Sequence, residues 1–71
     1  MSSDFRTWFG EQMLDHDLTV TALSDLLDMY DGTIEDWLAG RDVPSPADCA
    51  RLAELFETPP RQVLKLAGHR L

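Results

Sequence analysis

Acidic side chains dominate the stretch where polar groups are most concentrated, residues 25–41. It holds five acids, one tyrosine and one base: Asp25, Asp28, Tyr30, Asp31, Glu35, Asp36 and Arg41. Such groups can hydrogen-bond a binding partner, whereas acid–base catalysis needs groups that converge on one point. Glu35 and Asp36 are consecutive, so on a helix they point in different directions. The stretch therefore indicates binding rather than catalysis.

The residue types suited to metal ligation or nucleophilic attack are scattered. His16, Cys49 and His69 lack the spacing of metal ligands. No nucleophile has a base placed beside it, and no phosphate-binding loop is visible. We therefore expect no enzyme, no metal and no cofactor. We expect His16 to be an exposed helix-end residue and Cys49 a small, wholly or partly buried one.

Length and composition favour one folded domain, residues 1–71. The hydrophobic content of 44% argues against disorder despite a net charge of −7. A single cysteine cannot form an internal disulfide and suits a reducing cytoplasm. No apolar run approaches the ~20 residues of a membrane span, and no signal peptide is visible. These features predict a cytoplasmic protein with no membrane association.

The charge is unevenly placed along the chain. Residues 7–40 hold eight acids and no lysine or arginine, whereas residues 41–71 hold five bases against four acids. The first half should carry a negative field and the second should be near neutral. An acidic surface ordinarily serves solubility, and that reading weakens where the acids lie on an element expected to bind.

Two short helices joined by a tight turn are predicted in residues 18–40. Thr19 is a suitable N-cap for a helix over about 20–27, in which three leucines recur at helical spacing: Leu23, Leu26 and Leu27. Asp28 is expected in the left-handed conformation that ends this helix. The next helix is expected over about 31–39 and is stopped by Gly40. Asp31 is expected to cap it, because Tyr30 has no suitable acceptor.

Three further helices complete an all-α prediction. The first ends near Asp15, is capped by Ser2 or Ser3, and buries a stripe of Phe5, Phe9 and Met13. The fourth has Ser45 as N-cap and Pro46 at its first position. The fifth repeats this device at residues 58–60, with Thr58 as the cap, and ends at Gly68. Trp37 is expected in the core.

The combined pattern resembles the lambda-repressor-like helix-turn-helix family, which includes the Cro and repressor proteins of phages. The likeness is carried by Leu18, Thr19, Leu23, Leu26, Leu27, Thr33, Ile34, Trp37, Gly40, Arg41, Val43, Pro44, Ser45, Pro46, Leu52, Ala53, Leu66, Ala67 and Gly68. The resemblance implies a compact five-helix bundle with a helix-turn-helix. It also implies a homodimer that lays its third helix in the major groove of duplex DNA and regulates transcription.

The resemblance also implies a set of reading positions. They correspond here to Val20, Asp31, Gly32, Thr33 and Asp36. Only Thr33 is an ordinary reader of bases or phosphates, and Val20 can contact a thymine methyl. Arg41 matches a position near phosphate. Tyr30 would stand exposed at the tip of the third helix, where a binding surface would use it.

One departure from the family is structural. Met13 and Leu38 occupy places where the family frequently has an Arg–Glu pair, so we expect these two apolar side chains to touch.

The acids of the third helix leave two functions open. DNA affinity comes mainly from lysines and arginines that neutralise phosphates, and this helix offers none. The first interpretation is a DNA-binding transcriptional regulator. The alternative is a protein-interaction module, or a DNA mimic, that uses the same acidic helix to dock on a basic protein.

Overall fold

The computed structural model describes residues 4–70, which form five helices and no β-strand. The helices are α1 Asp4–Asp15, α2 Val20–Leu27, α3 Asp31–Ala39, α4 Pro46–Leu55 and α5 Pro60–Leu66. The all-α prediction is confirmed. The expected cap at Ser2 or Ser3 lies outside the described residues.

An aromatic cluster fills the centre of the domain. The Phe9 ring lies 5.3 Å from the Phe5 ring, 5.7 Å from Trp37 and 6.4 Å from Phe56, measured between centroids. Phe5, Phe9 and Trp37 are almost fully buried, as the stripe on α1 and the position of Trp37 predicted. Each buried ring removes roughly 150–250 Å² from water, which makes the cluster the main apolar contribution to stability.

The helices pack around this cluster in a defined order. Helix α1 packs on α3 and α5, α4 packs on α5, and α2 packs on α3. The principal extents are 30 × 24 × 20 Å, those of one compact globule. Met13 is buried and Leu38 is half-buried against the same core. Direct contact between Met13 and Leu38 stays a prediction.

Both ends of α2 follow the sequence. The Thr19 hydroxyl oxygen accepts a hydrogen bond from the Ala22 N–H at 3.1 Å. Asp28 adopts the left-handed conformation, with φ of 55°, and ends the helix. The leucine pattern holds only in part, because Leu23 and Leu27 are buried whereas Leu26 is 59% exposed. Leu26 therefore belongs to the surface rather than the core.

The starts of α4 and α5 differ. The Ser45 hydroxyl accepts from the Asp48 N–H at 3.2 Å, with Pro46 in the first turn, as predicted. The expected cap at Thr58 is wrong, because Pro59 occupies the N-cap and makes no side-chain cap bond. Pro60 forces the residue before it into an extended conformation, which moves the cap to Pro59. The Thr58 hydroxyl instead donates to the Phe56 carbonyl at 3.2 Å.

The chain after α5 is tied back to the loop between α3 and α4. His69 Nε2 lies 2.7 Å from the carbonyl oxygen of Pro44, which is itself buried. A carbonyl only accepts, so Nε2 carries the proton of this hydrogen bond. The contact joins two parts of the chain that are 25 residues apart.

Candidate functional site

The outer surface of α3 is the candidate functional site. Three residues, 28–30, separate α2 from α3. The exposed residues of α3 lie one helical turn apart: Asp31 and Gly32, then Glu35, then Ala39. We call these four residues together with Tyr30 the α3 face. No described helix covers it, so it is available to a partner.

Asp31 does not cap α3, contrary to the prediction. It is the first residue of the helix, and Tyr30 occupies the N-cap. The Asp31 carboxylate instead accepts hydrogen bonds from two hydroxyls of α2, Ser24 Oγ and, at 3.3 Å, Thr21 Oγ1. Ser24 is only 3% exposed, and the carboxylate satisfies its hydroxyl. Asp31 therefore fastens α3 to α2, which the capping rule could not show because it considers only local bonds.

Tyr30 contributes little to stability. It is 85% exposed, and its side chain makes no cap bond at the start of α3. Helix N-caps are normally Ser, Thr, Asp or Asn, whose side chains bind a free N–H of the first turn. A large aromatic residue that neither packs nor caps is suited to contact a partner. Its exposure confirms the sequence expectation for this residue.

Asp36 and Arg41 form an ion pair. Arg41 Nε donates to Asp36 Oδ1 at 2.9 Å, and the side chains are 66% and 46% exposed, respectively. Gly40 makes the pair possible, because its positive φ of 77° ends α3 and turns the chain back. The base nearest to α3 along the chain is therefore shared with one of the acids of that helix. Glu35 remains exposed, with no ion pair to any described residue.

Two other arginines cap helix C-termini. Arg6 Nη1 donates to the Ala39 carbonyl at 3.4 Å, at the end of α3. Arg51 Nη2 donates to the Leu27 carbonyl at the end of α2, and Arg51 Nη1 lies 3.7 Å from Asp48. Cations at these ends satisfy free carbonyls and interact favourably with the helix dipole. Arg6, Arg41 and Arg51 are thus all engaged within the chain.

The remaining sequence candidates differ in how accessible they are. Val20 and Thr33 are half-buried, and Val20 packs against the core. Gly32 is exposed, and a Cβ added to it would meet open space. The structure thus brings Tyr30, Asp31, Gly32 and Thr33 together at the start of α3. Val20 lies at the start of α2 and offers less surface than the sequence suggested.

The residues with catalytic potential stay apart. Within residues 4–70, no group of three His, Cys, Asp or Glu side chains could hold a metal ion. Cys49 is fully buried, and this burial, with the nearby Asp48 carboxylate, raises the pKa of its thiol. The thiol therefore stays protonated at neutral pH and is a poor nucleophile. His16 is exposed at the end of α1 and lies 5.0 Å from the Phe56 ring.

A second surface feature was missed from sequence. An open cleft of about 250 Å³ lies between the ends of α2 and α4, lined by Leu26, Leu27, Arg51, Glu54 and Leu55. The exposure of Leu26 creates it. Helical periodicity predicted that Leu26 is buried beside Leu27. The position of α4 leaves Leu26 exposed.

Comparison of the chain with protein-family models, curated proteins and solved structures gives no match. None of the described helices is both long and apolar enough to cross a bilayer.

Proposed function

We propose that this chain is a small helix-turn-helix regulator that binds duplex DNA through α3. The observation that carries the proposal is the arrangement of α2, a three-residue turn and α3, with the outer face of α3 uncovered. In such a unit the second helix enters the major groove and the first crosses the backbone. The resemblance further suggests a homodimer, in which each of the two copies would supply the same few contacts to DNA.

The shape of α3 favours a close approach to DNA. Gly32 has no side chain and Ala39 only a methyl group, so little projects from the outer face of α3 apart from Glu35 between them. Thr33, near the start of the helix, can hydrogen-bond a base edge or a phosphate. Tyr30 precedes the helix and is free to contact the sugar-phosphate backbone.

The charges of this surface make the expected affinity low. Neutralising a phosphate needs a free lysine or arginine, and Arg6, Arg41 and Arg51 are engaged within the chain. Arg41 is the best placed of the three to exchange its partner, because it directly follows α3 and its side chain is 66% exposed. We expect Arg41 to leave Asp36 for a phosphate on binding. Affinity for random duplexes should fall within the non-specific range, about 10⁻⁴ to 10⁻⁶ M.

The test is binding of Asp36→Asn and Glu35→Gln to a fluorescent random-sequence duplex at several salt concentrations. Both variants remove one negative charge from α3, but only Asp36→Asn releases Arg41. Asp36→Asn should therefore bind more tightly, because Arg41 then reaches a phosphate without breaking its ion pair, while the slope of log affinity against log salt stays the same because the number of phosphate contacts does not change. Glu35→Gln should strengthen binding less and leave the slope unchanged.

Two results would count against the proposal, the first against DNA binding itself and the second against the role of Arg41. One is the absence of any complex near about 50 mM salt at micromolar protein, where non-specific binders are detectable. The other is an equal effect of the two variants, since Arg41 would then not be the group that reaches phosphate. Arg41→Gln supplies the reverse control and should weaken binding.

Tyr30 favours a second function, docking of the α3 face on a basic protein. An exposed aromatic ring beside Asp31 and Glu35 matches the anchor-and-charge pattern of protein interfaces. Under this function the acids attract the partner, so Glu35→Gln should weaken capture of a lysine-rich peptide while duplex binding stays absent. Glu35→Gln thus strengthens duplex binding under the first function and weakens peptide capture under the second.

A further inference from the structure

The cleft between α2 and α4 is a surface distinct from the α3 face. Leu26 lies on its α2 side and Leu55, half-buried, on its α4 side, with Leu27 buried between them. Leu26 is 59% exposed, although it stands on a helix whose neighbouring leucines are buried. A solvent-exposed leucine beside a second accessible leucine forms a small apolar contact surface.

The base that lines the cleft, Arg51, is engaged within the chain. Arg51 donates to the Leu27 carbonyl at the end of α2 and lies 3.7 Å from Asp48. Glu54, which also lines the cleft, is exposed and forms no ion pair with a described residue. Asp25 and Asp28 flank the two α2 leucines in the chain and are exposed as well. Acids therefore accompany the apolar surface, with Glu54 in its lining and Asp25 and Asp28 next to its two α2 leucines in the chain.

We propose that this cleft docks a basic amphipathic segment of another protein, one that offers an apolar side chain to Leu26 and Leu55 and lysine or arginine to the acids around them. Charge complementarity selects this occupant. The apolar contact supplies affinity, and Glu54, Asp25 and Asp28 steer the basic residues during association.

The same charges disfavour the other occupants. In a symmetric contact between two clefts, a second copy of this chain would bring its own Asp25, Asp28 and Glu54 towards the same three acids. A small molecule would find only about 250 Å³ in an open cleft, below the roughly 300–1,000 Å³ of pockets that enclose ligands. A side chain projecting from a larger partner fits this space.

The test uses the full chain and three synthetic helical peptides of equal length. The first combines leucine and lysine on opposite faces, the second replaces lysine with glutamate, and the third replaces leucine with serine. Only the leucine–lysine peptide should bind saturably, and it should shift the backbone NMR resonances of Leu26 and Leu55. Leu26→Ser should weaken this binding about tenfold or more.

Leu14→Ser is the matched control, because Leu14 is 82% exposed but does not line the cleft. It should leave peptide binding unchanged. Unchanged binding to Leu26→Ser, equal binding of the serine–lysine peptide, or shifts confined to the α3 face would overturn the proposal. So would self-association in sedimentation that Leu26→Ser abolishes, since the occupant would then be a second copy.

The result is separable from the test of DNA binding. Leu26 is not part of the α3 face, so Leu26→Ser should leave duplex affinity unchanged. Failure of the peptide test with duplex binding intact would reject the cleft alone. Peptide binding with no duplex binding would reject the proposed function alone.

Discussion

Two glycines show how differently one residue type acts in this domain. Gly10 lies within α1, and a Cβ added to it would have no neighbour within 4 Å. Close packing therefore does not explain this glycine, which lowers helix stability by leaving the backbone more freedom when unfolded. Gly40 has a φ of +77°, and an added Cβ would lie 3.3 Å from the side chain of Arg6.

Substituting alanine at these two positions should have opposite effects. Gly10→Ala should raise the free energy of unfolding by about 1 kcal/mol, because it removes a flexible residue from a helix interior. Gly40→Ala should lower it by about 1–2 kcal/mol, the cost of a left-handed conformation with a side chain. Urea denaturation followed by tryptophan fluorescence measures both. A destabilised Gly10→Ala would show that α1 packs more closely there than the structure indicates.

Cys49 and Leu26 show when the burial of a single residue can be predicted from sequence and when it cannot. Cys49 was expected to be wholly or partly buried, and it is fully buried. Leu26 fits the same helical pattern as Leu27 yet faces solvent. Sequence spacing predicts the buried face of a helix, but it does not separate adjacent positions at the edge of that face. The placement of the next helix decides which of them is buried.

At the scale of the element, the start of α3 combines an unfilled cap with a strong interhelical contact. Tyr30 holds the N-cap position without a side-chain bond, and Asp31 accepts hydrogen bonds from Ser24 and Thr21 of α2. The Ser24 hydroxyl has one proton and lies near two acceptors, Asp31 Oδ1 and the Thr21 carbonyl at 2.9 Å. The orientation of α3 on α2 thus depends on a side-chain contact, and local capping contributes little.

This arrangement predicts opposite stability changes at adjacent residues. Asp31→Ala should lower the free energy of unfolding by about 1 kcal/mol, because it removes the hydrogen bonds that join α3 to the Ser24 and Thr21 hydroxyls of α2. Tyr30→Ser should raise it by about 1 kcal/mol by supplying the missing cap. A double-mutant cycle of Asp31→Ala with Ser24→Ala should show coupling of at least about 0.5 kcal/mol. Additive effects in that cycle would mean that the two side chains do not interact.

At the scale of the molecule, charge repulsion opposes folding. The chain has 13 acids against 6 lysines and arginines. The ion pairs Asp36–Arg41 and Asp48–Arg51 are partly exposed and contribute little. Like charges on a small surface repel one another, and salt screens this repulsion over about 8–10 Å.

Sodium chloride should therefore raise the melting temperature. A gain of about 1 kcal/mol between low and moderate salt corresponds to an increase of roughly 4–8 °C for a domain of this size. Thermal denaturation by circular dichroism measures it. Sodium chloride is preferred to sulfate, which stabilises proteins by exclusion from the surface whatever their charge. A melting temperature that falls with salt would show that the arginine contacts outweigh the repulsion.

The sequence by itself determined the elements of this protein. Thr19, Asp28 and Gly40 set the ends of α2 and α3, and Ser45 with Pro46 set the start of α4. These signals act through bonds within a few residues, so they can be read without knowing the fold. The buried stripe of α1 and the burial of Trp37 follow from helical periodicity in the same way.

Tertiary structure alone decided how the charges are used. Arg6 reaches the end of α3 from 33 residues away, and Arg51 reaches the end of α2 from 24 residues away. Asp31 accepts a hydrogen bond from α2 rather than capping its own helix. Leu26 lines a cleft together with Leu55 instead of entering the core. These contacts join groups on different helices, so they depend on how the helices pack and not on any local pattern. Packing of the helices therefore determines which acids and arginines remain free for a partner.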